Sequence, residues 1–512
     1  MRTEPGTTKS LWHGAAVELE RSPLTGDARA DVCVVGAGIA GLMTAYHLAR
    51  EGRKVMVVDD GPMGGGETGR TTAHLSDALD DRFYELEKLH GEGGARLAGQ
   101  SHRAAIERVA EIVHQEGITC DFRWVDGYLF AAPPASTEDD LARECESAAR
   151  AGVAVEATDS APYHPFEGQQ HALRFVRQAR VHPLKLLAGL ARCIEGNAGI
   201  IHTGTHVKAV HGGSPVRVET DAGATIRASA CVVATNSPIS DYVVTHAKMA
   251  PYRTFAIAAR VPKGSVPDAL YWNNANPYIY IRVQQGDGHD WLIVGGEDYK
   301  TGHREDDAQR LVRLVQWARA RFPMVESIDY QWSGQVLEPN DGLAFTGRNP
   351  DGAENVYLHT ADSGQGMTHG TIAGMLLTDL IMGRENAWAA LYDPKRVSMG
   401  LSAAREFVKE NLDVAAQYAA YVLPGDVPSE TDVPRGSGRV VRHGTKMVAV
   451  YRDDEGRLHE RSAVCTHLKC IVNWNELESS WDCPCHGSRF APLGDVLNGP
   501  ALAPLEELDG DG

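Results

Sequence analysis

Four cysteines and two histidines near the C-terminus have the residue types and spacing of a metal site. They form two motifs, Cys465-Thr466-His467-Leu468-Lys469-Cys470 and Cys483-Pro484-Cys485-His486. One Cys and one His from each motif can ligate a [2Fe-2S] cluster, with two thiolates on one iron and two imidazoles on the other. Zinc is the main alternative, because Cys2His2 sets also bind zinc, but zinc fingers group the ligands as CxxC and HxxxH. The alternation of Cys and His favours the iron–sulfur cluster.

A glycine turn near the N-terminus has the chemistry of a dinucleotide site. The segment from Asp31 to Gly41 is a β-branched run followed by Gly36, Gly38 and Gly41, and helical spacing of apolar residues continues to Arg50. In such a strand–turn–helix unit the backbone approaches a pyrophosphate at the helix N-terminus. A second strand ends in Asp59, at the distance expected for an acid that binds a ribose hydroxyl. The sequence therefore predicts a bound dinucleotide.

Two later glycine-rich segments are expected to approach other parts of the same cofactor. The first runs from Gly61 to Ala73 and contains Arg70, a cation suited to a phosphate or an anionic flavin ring. The second follows a predicted strand, 356–360, and leads into a helix predicted over 371–382, whose N-terminus would favour negative charge. The Gly295-Gly296 pair lacks GxGxxG spacing and is followed by a polar segment. We therefore expect no separate NAD(P) site there.

The predicted strands and helices that must position these groups indicate an α/β (α+β) chain of several domains. Apolar strands with helical segments between them predict a parallel, Rossmann-like sheet, including a strand over 231–236. Alternating patterns with aromatic residues between Arg253 and Val336 predict an antiparallel sheet, one face of which lines a pocket. Helices are predicted over 82–115, 138–151, 184–194 and 399–421, the last packing on the cofactor domain. A Pro- and Gly-rich linker follows.

Composition excludes several classes of function. The 512-residue chain is long enough for two or three domains and carries a formal charge of −18 without a basic block. This argues against nucleic acid and anionic membrane surfaces as partners. The N-terminus lacks the features of a secretory signal, and no run reaches the length of a membrane span. We expect a cytoplasmic protein, whose five other cysteines are inert core residues.

Residues 29 to about 395 resemble flavoproteins of the D-amino-acid oxidase and glycine oxidase family, which bind FAD noncovalently. The resemblance rests on the glycine turn, on Asp59 and on the two later glycine-rich segments. It implies an FAD site, whose expected residues are Gly36, Gly38, Gly41, Asp59, Gly66, Thr68, Gly69, Arg70, Thr71, Val207, Ala234, Gly364, Gly366, Met367 and Thr368. The first four would hold the adenosine diphosphate half, and the last four would lie at the isoalloxazine ring.

Residues 436 to 510 resemble the Rieske domain of cytochrome bc complexes. The resemblance implies Cys465, His467, Cys483 and His486 as cluster ligands, and a disulfide between Cys470 and Cys485. Ser488 matches a hydroxyl that hydrogen-bonds a bridging sulfide. Phe490 stands where high-potential members have Tyr, and Lys469 stands in place of a Gly. Because hydrogen bonds to sulfur raise the potential, we expect a value below the top of the range from roughly −150 to +300 mV.

These resemblances imply a domain organisation. We expect an FAD-dependent oxidoreductase domain over 29–395, a helix and linker over 396–435, and the Rieske domain over 436–510. Within the first, the cofactor-binding parts are expected at about 29–100, 180–245 and 337–395, and the substrate-domain parts at about 101–179 and 246–336.

The combination predicts oxidation of a small amine or amino acid at its CH–NH group. Electrons would pass from FAD to the Rieske cluster singly and then to an external one-electron acceptor. Candidate pocket residues are Tyr252, Tyr278, Tyr280, Arg282 and His369, with Arg282 a carboxylate clamp. The main alternative is an electron-transfer protein with a protein redox partner and no amine substrate. A reductase drawing on NADH is disfavoured because a second nucleotide motif is missing.

Overall fold

A computed structural model describes residues 6–132, 137–166, 171–240, 245–275, 278–303, 307–397, 414 and 417–508. Its helices are α1 (Ile39–Arg50), α2 (Phe83–Gln115), α3 (Glu138–Arg150), α4 (Pro183–Gly196), α5 (Asp307–Arg321), α6 (Gly366–Ile381) and α7 (Ala389–Tyr392). Short 3-10 turns cover Leu11–Gly14, Glu67–Gly69, His246–Lys248, Tyr418–Tyr421 and Glu430–Asp432.

The strands of the N-terminal region, up to residue 397, are β1 (Ala28–Val35), β2 (Val55–Val58), β3 (His74–Leu75), β4 (Arg123–Phe130), β5 (Val155–Thr158), β6 (Ala172–Arg180), β7 (Ile200–His202), β8 (Val207–His211), β9 (Val216–Thr220), β10 (Thr225–Val233), β11 (Met249–Pro262), β12 (Leu270–Asn273), β13 (Ile279–Gln285), β14 (His289–Lys300), β15 (Ser327–Pro339), β16 (Phe345–Arg348) and β17 (Val356–Thr360). Those of the C-terminal domain, residues 423–508, are β18 (Ser437–His443), β19 (Lys446–Arg452), β20 (Leu458–Ser462), β21 (Asn473–Asn475), β22 (Ser480–Asp482), β23 (Arg489–Phe490) and β24 (Val496–Asn498).

A sheet in the order β16-β17-β10-β1-β2-β7 forms the centre of the N-terminal region. Strands β17, β10, β1, β2 and β7 run parallel, and most of their apolar residues are buried on both faces, as is typical of parallel sheets. The register pairs Val35 with both Val58 and Val233. The turns that follow these strands therefore meet at one edge of the sheet.

A second sheet, in the order β15-β11-β14-β13-β12-β4-β6-β3, stands opposite that edge, and β5 pairs with β6. Its strand pairs are antiparallel except for β12 with β4. Strand β11 extends over Met249–Pro262 and so begins four residues before Arg253, where the alternating pattern starts. This sheet supplies the wall that the pattern between Arg253 and Val336 predicts.

Helices α1 and α6 pack closely because glycines remove the side chains between them. A Cβ atom on Gly370 would lie 2.7 Å from Ile39 Cγ2, and one on Gly374 would lie 2.7 Å from Met43 Cβ. Helix α6 begins at Gly366, five residues before the predicted start. The turn before α6 is complete at Gly364, since Ser363 and Gly364 have φ values of +47° and +71°.

The C-terminal domain contains two antiparallel sheets, β18-β19-β20 and β21-β22-β23-β24. The predicted linker that precedes β18 packs on this domain, because Val427 forms a β-bridge with Val441 and Val433 is buried. Most of the helix predicted over 399–421 lies outside the described residues. Among the residues that are described, no helix is long and apolar enough to cross a membrane.

The observed architecture confirms the predicted fold class. It combines a mixed α/β part, a large mainly antiparallel sheet beside it, and a small all-β C-terminal domain.

Candidate cofactor cavity and cluster site

A cavity of about 320 Å³ lies at the carboxyl edge of the parallel sheet, within the size range of ligand sites. The register explains its position, because Gly36, Asp59 and Ala234 directly follow strands that end together. The sequence-predicted cofactor residues that line the cavity are Gly36, Gly38, Asp59, Gly66, Thr68, Arg70, Thr71, Val207, Ala234, Gly364, Gly366, Met367 and Thr368.

Gly41 and Gly69 do not line the cavity and have packing roles instead. A Cβ on Gly41 would lie 1.9 Å from the carbonyl oxygen of Gly36, and one on Gly69 would lie 2.4 Å from that of Gly64. No side chain fits at either distance, so these glycines keep the two turns closed against their neighbours.

Asp59 stabilises the glycine turn as well as facing the cavity. Its carboxylate accepts hydrogen bonds from the backbone amides of Ala37, at 2.5 Å, and Gly61, at 2.8 Å. Burial and the neighbouring charge of Asp60 raise the pKa of Asp59 to about 7. A ribose hydroxyl that donates to this carboxylate would favour its charged form and lower that pKa.

The cavity wall fits a dinucleotide with a flavin ring. The N-termini of α1 and α6 both open onto it, and neither helix has an acidic residue in its first turn. Such ends bind phosphate and stabilise negative charge on a ring. Ser237 Oγ, Gln335 Oε1 and Gln365 Oε1 are buried in wall residues without hydrogen-bond partners in the described part of the chain. They are acceptors and donors available to a polar ligand.

One end of the cavity has an aromatic and acidic wall. Tyr278 and Tyr280 line it, together with Trp272 and Thr254. Burial raises the pKa of both tyrosines well above the usual value, so both remain phenols. Asp80 also lines this end, and sequence analysis missed it. Asp80 is exposed by surface area and lines the cavity, and burial raises its pKa to about 6.

The other three predicted pocket residues lie outside the cavity wall. Arg282 is fully buried and donates to the carbonyl oxygens of Thr72, Ala73 and Val181 at 2.9–3.0 Å. These bonds hold the loop 72–73 against the sheet, and they leave that guanidinium nitrogen no position for a substrate carboxylate.

His369 and Tyr252 are likewise set back from the wall. His369 lies on α6, where its Nδ1 bonds the carbonyl oxygen of Asp362 at 2.8 Å and its ring packs on His102. Burial lowers the pKa of His369 well below its usual value, so the ring is neutral. Tyr252, on β11, is half-buried and does not line the cavity.

The two cysteine–histidine motifs form adjacent loops in the C-terminal domain. The rings of His467 and His486 lie 5.1 Å apart, centroid to centroid, and Cys465 and Cys483 are buried free thiols. Cys483 is the main cause that lowers the pKa of Cys465 to about 7, against the effect of burial. Burial, with the imidazoles of His467 and His246, lowers the pKa of His486 to about 3. The hydrogen bond to Cys465 and burial raise the pKa of Cys483 well above its usual value, so in the metal-free protein the two thiols share one readily lost proton. Neutral imidazoles and thiols that can ionise are what metal binding requires.

A disulfide joins these loops, as the resemblance implies. Cys470 and Cys485 are bonded, with their Cα atoms 6.4 Å apart. The sulfur atoms of Cys470, Cys483 and Cys485 all lie within 4.8 Å of one another, but the two disulfide sulfurs cannot serve as thiolate ligands. His486 Nδ1, in contrast, is buried without a hydrogen-bond partner among the described residues. The donors present therefore fit a cluster held by two Cys and two His.

The C-terminal domain closes part of the cofactor cavity. Residues Val496, Leu497, Asn498, Gly499, Ala501 and Leu502 contribute to the wall. His246, from the N-terminal region, lies with its ring 5.2 Å from that of His467 and 6.2 Å from that of His486. The two parts of the chain thus meet both at the cavity wall and beside the predicted cluster ligands.

A buried charge network joins the two parts of the chain. Glu478 is 0% exposed and forms ion pairs with Arg70 at 3.1 Å and Arg253 at 3.6 Å. Arg70 also donates to the carbonyl oxygens of Thr8 and Ser333. Arg70, predicted to approach the cofactor, therefore lines the cavity but directs its guanidinium to the interface. Sequence analysis missed Glu478, because Glu476-Leu477-Glu478 has the pattern of a solvated loop.

Comparison with known proteins supports two assignments. Residues 31–380 match the family model of the DAO FAD-dependent oxidoreductases, and residues 424–509 match that of the Rieske [2Fe-2S] domain. The chain is 30% identical over 486 residues to the Rieske 2Fe-2S iron-sulfur protein YhfW of Bacillus subtilis (strain 168), covering 95% of this chain and 94% of that protein. It is 28% identical over 367 residues to gamma-glutamylputrescine oxidoreductase of Escherichia coli (strain K12), covering 69% of this chain and 84% of that one.

The fold of the N-terminal region also matches solved structures. Glycine oxidase from Geobacillus kaustophilus superposes with a TM-score of 0.61 at 21% identity, covering 72% of this chain and all but 1% of that one. At this identity the likeness concerns the fold. The family match spans most of the chain and agrees with the cavity and the cluster loops. The chain thus belongs to the DAO family of FAD-dependent oxidoreductases and carries a C-terminal Rieske [2Fe-2S] domain.

Proposed function

We propose that this protein oxidises a small amine at its CH–NH group and passes the electrons to an external one-electron acceptor through the Rieske domain. The observation that carries this proposal is the shared cavity. The segment from Val496 to Leu502 of the cluster-bearing domain forms part of the same wall as the glycine turns expected to hold FAD. A fusion of two unrelated redox modules would not require this contact.

The proposed net reaction converts the CH–NH group to C=N and releases two electrons and two protons. Water then hydrolyses the imine to a carbonyl compound and a free amine. When bound, FAD supplies a hydride acceptor, and the [2Fe-2S] cluster supplies a carrier of one electron at a time. Two equivalents of the external acceptor balance one turnover.

Asp80 is the residue that we assign to the substrate amine. It shares one end of the cavity with Tyr278, Tyr280 and Trp272. Its Oδ2 and the Tyr278 hydroxyl lie 3.3 and 3.9 Å from the position that a Cβ on Gly364 would take, so both approach the turn before α6. A carboxylate beside aromatic rings attracts an ammonium group and accepts its proton. Hydride transfer requires the reacting amine to be neutral, and Asp80 provides that proton acceptor.

The charges at this end favour an amine over an α-amino acid. Arg70 is the one Lys or Arg residue that lines the cavity in the described part of the chain, and it is paired with Glu478. The pKa of His74 is lowered to about 3 by burial and Arg282, so this wall residue is neutral. A substrate carboxylate would be desolvated here without a counter-charge, which is costly. The Escherichia coli relative named above is, by its name, an oxidoreductase of a putrescine derivative.

Anaerobic bleaching of the flavin by a panel of amines and amino acids tests this function. We expect simple primary or secondary amines to bleach the flavin and to reduce the cluster, followed by electron paramagnetic resonance. If neither amines nor amino acids bleach a flavin that dithionite reduces, the electron-transfer alternative with a protein partner is favoured instead.

Asp80→Asn tests the assigned residue. Because the pKa of Asp80 is raised to about 6, the carboxylate forms as pH rises through 6. The second-order rate constant of flavin reduction should therefore rise over that range in the wild type and lose this limb in Asp80→Asn. We expect the variant to be slower by 10²–10⁴-fold at pH 8. Asp287→Asn, on an exposed loop, is the control. An unchanged pH profile in Asp80→Asn would contradict the assignment.

A further inference from the structure

We propose that Gln335 is the bridge through which the cofactor cavity is electronically coupled to the cluster. This inference rests on the relay in the proposed function and not on the identity of the substrate. Gln335 lies on β15 of the N-terminal region, is 4% exposed and lines the cavity. Its side chain crosses the interface into the loop that carries Cys483 and His486.

The contact between Gln335 and this loop is a direct hydrogen bond. Nε2 of Gln335 donates to the carbonyl oxygen of Gly487 at 3.1 Å. Gly487 immediately follows His486, and its own amide donates to the carbonyl oxygen of Cys483 at 3.1 Å. A single side chain thus links the cavity wall to the residue that immediately follows the predicted ligand His486.

The local backbone is built for this close approach. Gly487 has a φ of +76°, and a Cβ at this position would lie 2.4 Å from Gln335 Nε2 and 2.6 Å from Pro251 Cβ. A larger residue would therefore push the two domains apart at this point. On the other side, the backbone amide of Gln335 donates to Glu67 Oε2 at 2.7 Å, and Glu67 also accepts from Asn498 of the C-terminal domain. The backbone and the side-chain amide of Gln335 are therefore both held by hydrogen bonds.

The remaining polar atom of Gln335 is available for the cofactor. Oε1 is buried and has no hydrogen-bond partner in the described part of the chain. A buried amide oxygen without a partner is destabilising, and a donor on a bound cofactor would offset that cost. The carbonyl oxygen of Gly487 can only accept a hydrogen bond, so the amide atom that faces it must be the donor Nε2. The other amide atom, which is left without a partner, is therefore the acceptor Oε1.

A second contact between the domains is less direct. His246 packs its ring on His467 and His486, and its Nε2 lies 3.3 Å from the carbonyl oxygen of Pro238, next to the wall residue Ser237. This route includes a van der Waals contact between rings, where electronic coupling falls faster with distance than along hydrogen and covalent bonds. The Gln335 route contains one hydrogen bond. Gln335 is neither oxidised nor reduced, and one electron crosses per event.

The test uses full-length holoprotein with both cofactors and does not use the substrate. A light flash in the presence of deazaflavin and EDTA reduces the flavin, and absorbance follows the subsequent reduction of the cluster. In the wild type we expect a first-order rate that does not depend on protein concentration. In Gln335→Met, which keeps the volume but removes both polar ends, we expect at least a tenfold slower rate. The midpoint potential of the cluster should also become more negative, because an N–H donor near it is lost.

Gln331→Met is the matched control, since Gln331 is exposed on the same strand. It should change neither the rate nor the potential. If Gln335→Met behaves like the wild type in both readouts, the proposal is wrong. Gln335→Glu, with the same shape but an oxygen in place of the donor, should reproduce the slower rate. Loss of the cluster from both variants would also overturn the proposal, because Gln335 would then hold the domain rather than couple it.

The outcomes separate this inference from the proposed function. If no amine bleaches the flavin but Gln335→Met slows the light-driven transfer, only the substrate proposal fails. If light-reduced flavin never reduces the cluster in the wild type, the relay and the bridge both fail.

Discussion

Around the expected cluster, Ser488 and Phe490 determine how many side-chain hydrogen bonds the sulfur atoms can accept. Ser488 Oγ accepts a hydrogen bond from the Ala501 amide at 3.1 Å, which leaves its proton free to donate. Phe490 is fully buried on β23, opposite Trp481 on β22, and provides no such donor. Each sulfur hydrogen bond stabilises the reduced, more negative cluster and raises its potential. The balance of Ser488 and Phe490 predicts an intermediate potential.

Phe490→Tyr should therefore raise the midpoint potential of the cluster. A hydrogen bond from the added hydroxyl to a cysteine sulfur, worth about 1.4 kcal/mol, corresponds to about 60 mV for one electron. Redox titration followed by electron paramagnetic resonance measures the shift. Ser488→Ala removes a donor and should shift the potential in the opposite direction. Equal potentials in the wild type and Phe490→Tyr would rule out this account.

At the level of elements, the cofactor cavity depends on how closely α1 approaches the glycine turn and how closely α6 approaches α1. Glycines at three of these contacts leave no room for a methyl group. Gly41 lies against Gly36, and Gly370 and Gly374 lie against Ile39 and Met43. Two helix N-termini are thereby directed at one cavity, which a looser packing would separate.

Gly41→Ala should weaken FAD binding, because the new Cβ would lie 1.9 Å from the Gly36 carbonyl oxygen and displace the turn. Overpacking costs about 1–3 kcal/mol, so the dissociation constant should increase by about 10- to 100-fold. Titration of the apoprotein with FAD provides the measurement. Gly93→Ala is the control, since no atom lies within 4 Å of its Cβ position. Retention of wild-type affinity in Gly41→Ala would exclude the packing argument.

In the whole molecule, buried charges join the two redox domains. Burial opposes ionisation of Glu478, but the guanidinium groups of Arg70 and Arg253 outweigh it and lower its pKa to about 2. Asp482 contributes further, pairing with Arg489 at 3.0 Å and with Arg253 at 3.8 Å. Removing one partner from such a network leaves an uncompensated buried charge, which is strongly destabilising.

Glu478→Gln should lower the free energy of unfolding by about 3–5 kcal/mol at pH 7. The pKa of Glu478 in the folded protein, about 2, lies below the usual 4.5, so the contribution of its ion pairs to the free energy of unfolding is fully present above pH 4.5. It is lost as pH falls from 4.5 to 2, and the difference between wild type and variant should shrink over the same range. Denaturant unfolding at several pH values provides the measurement.

Glu476→Gln is the matched control for that experiment. Glu476 is two residues away but exposed, and its ion pair with Arg439 is superficial. It should cost less than about 1 kcal/mol. A Glu478→Gln effect no larger than this, or one independent of pH, would contradict a role for buried charge in docking.

The sequence by itself determined the local chemistry of this protein. Glycine spacing dictates backbone geometry within a few residues, so most of the predicted FAD residues do line the cavity. The cysteine and histidine motifs likewise predicted the Cys470–Cys485 bridge through a resemblance carried by adjacent residues. Side chains whose roles depend on distant partners were predicted less well. Arg282 carries a guanidinium group that could bind a carboxylate, but this group donates hydrogen bonds to backbone carbonyl oxygens instead.

Only the tertiary structure decided which residues from distant segments meet. Asp80, Gln335 and Glu478 belong to no motif, and their contacts join residues far apart in the chain, as in the pair of Arg70 with Glu478. Burial also changes what a residue does: the same carboxylate is a solvated surface charge in one fold and a proton acceptor or docking anion in another. The sequence specifies two cofactor sites, and the packing of the chain brings segments of both domains together in one cavity wall.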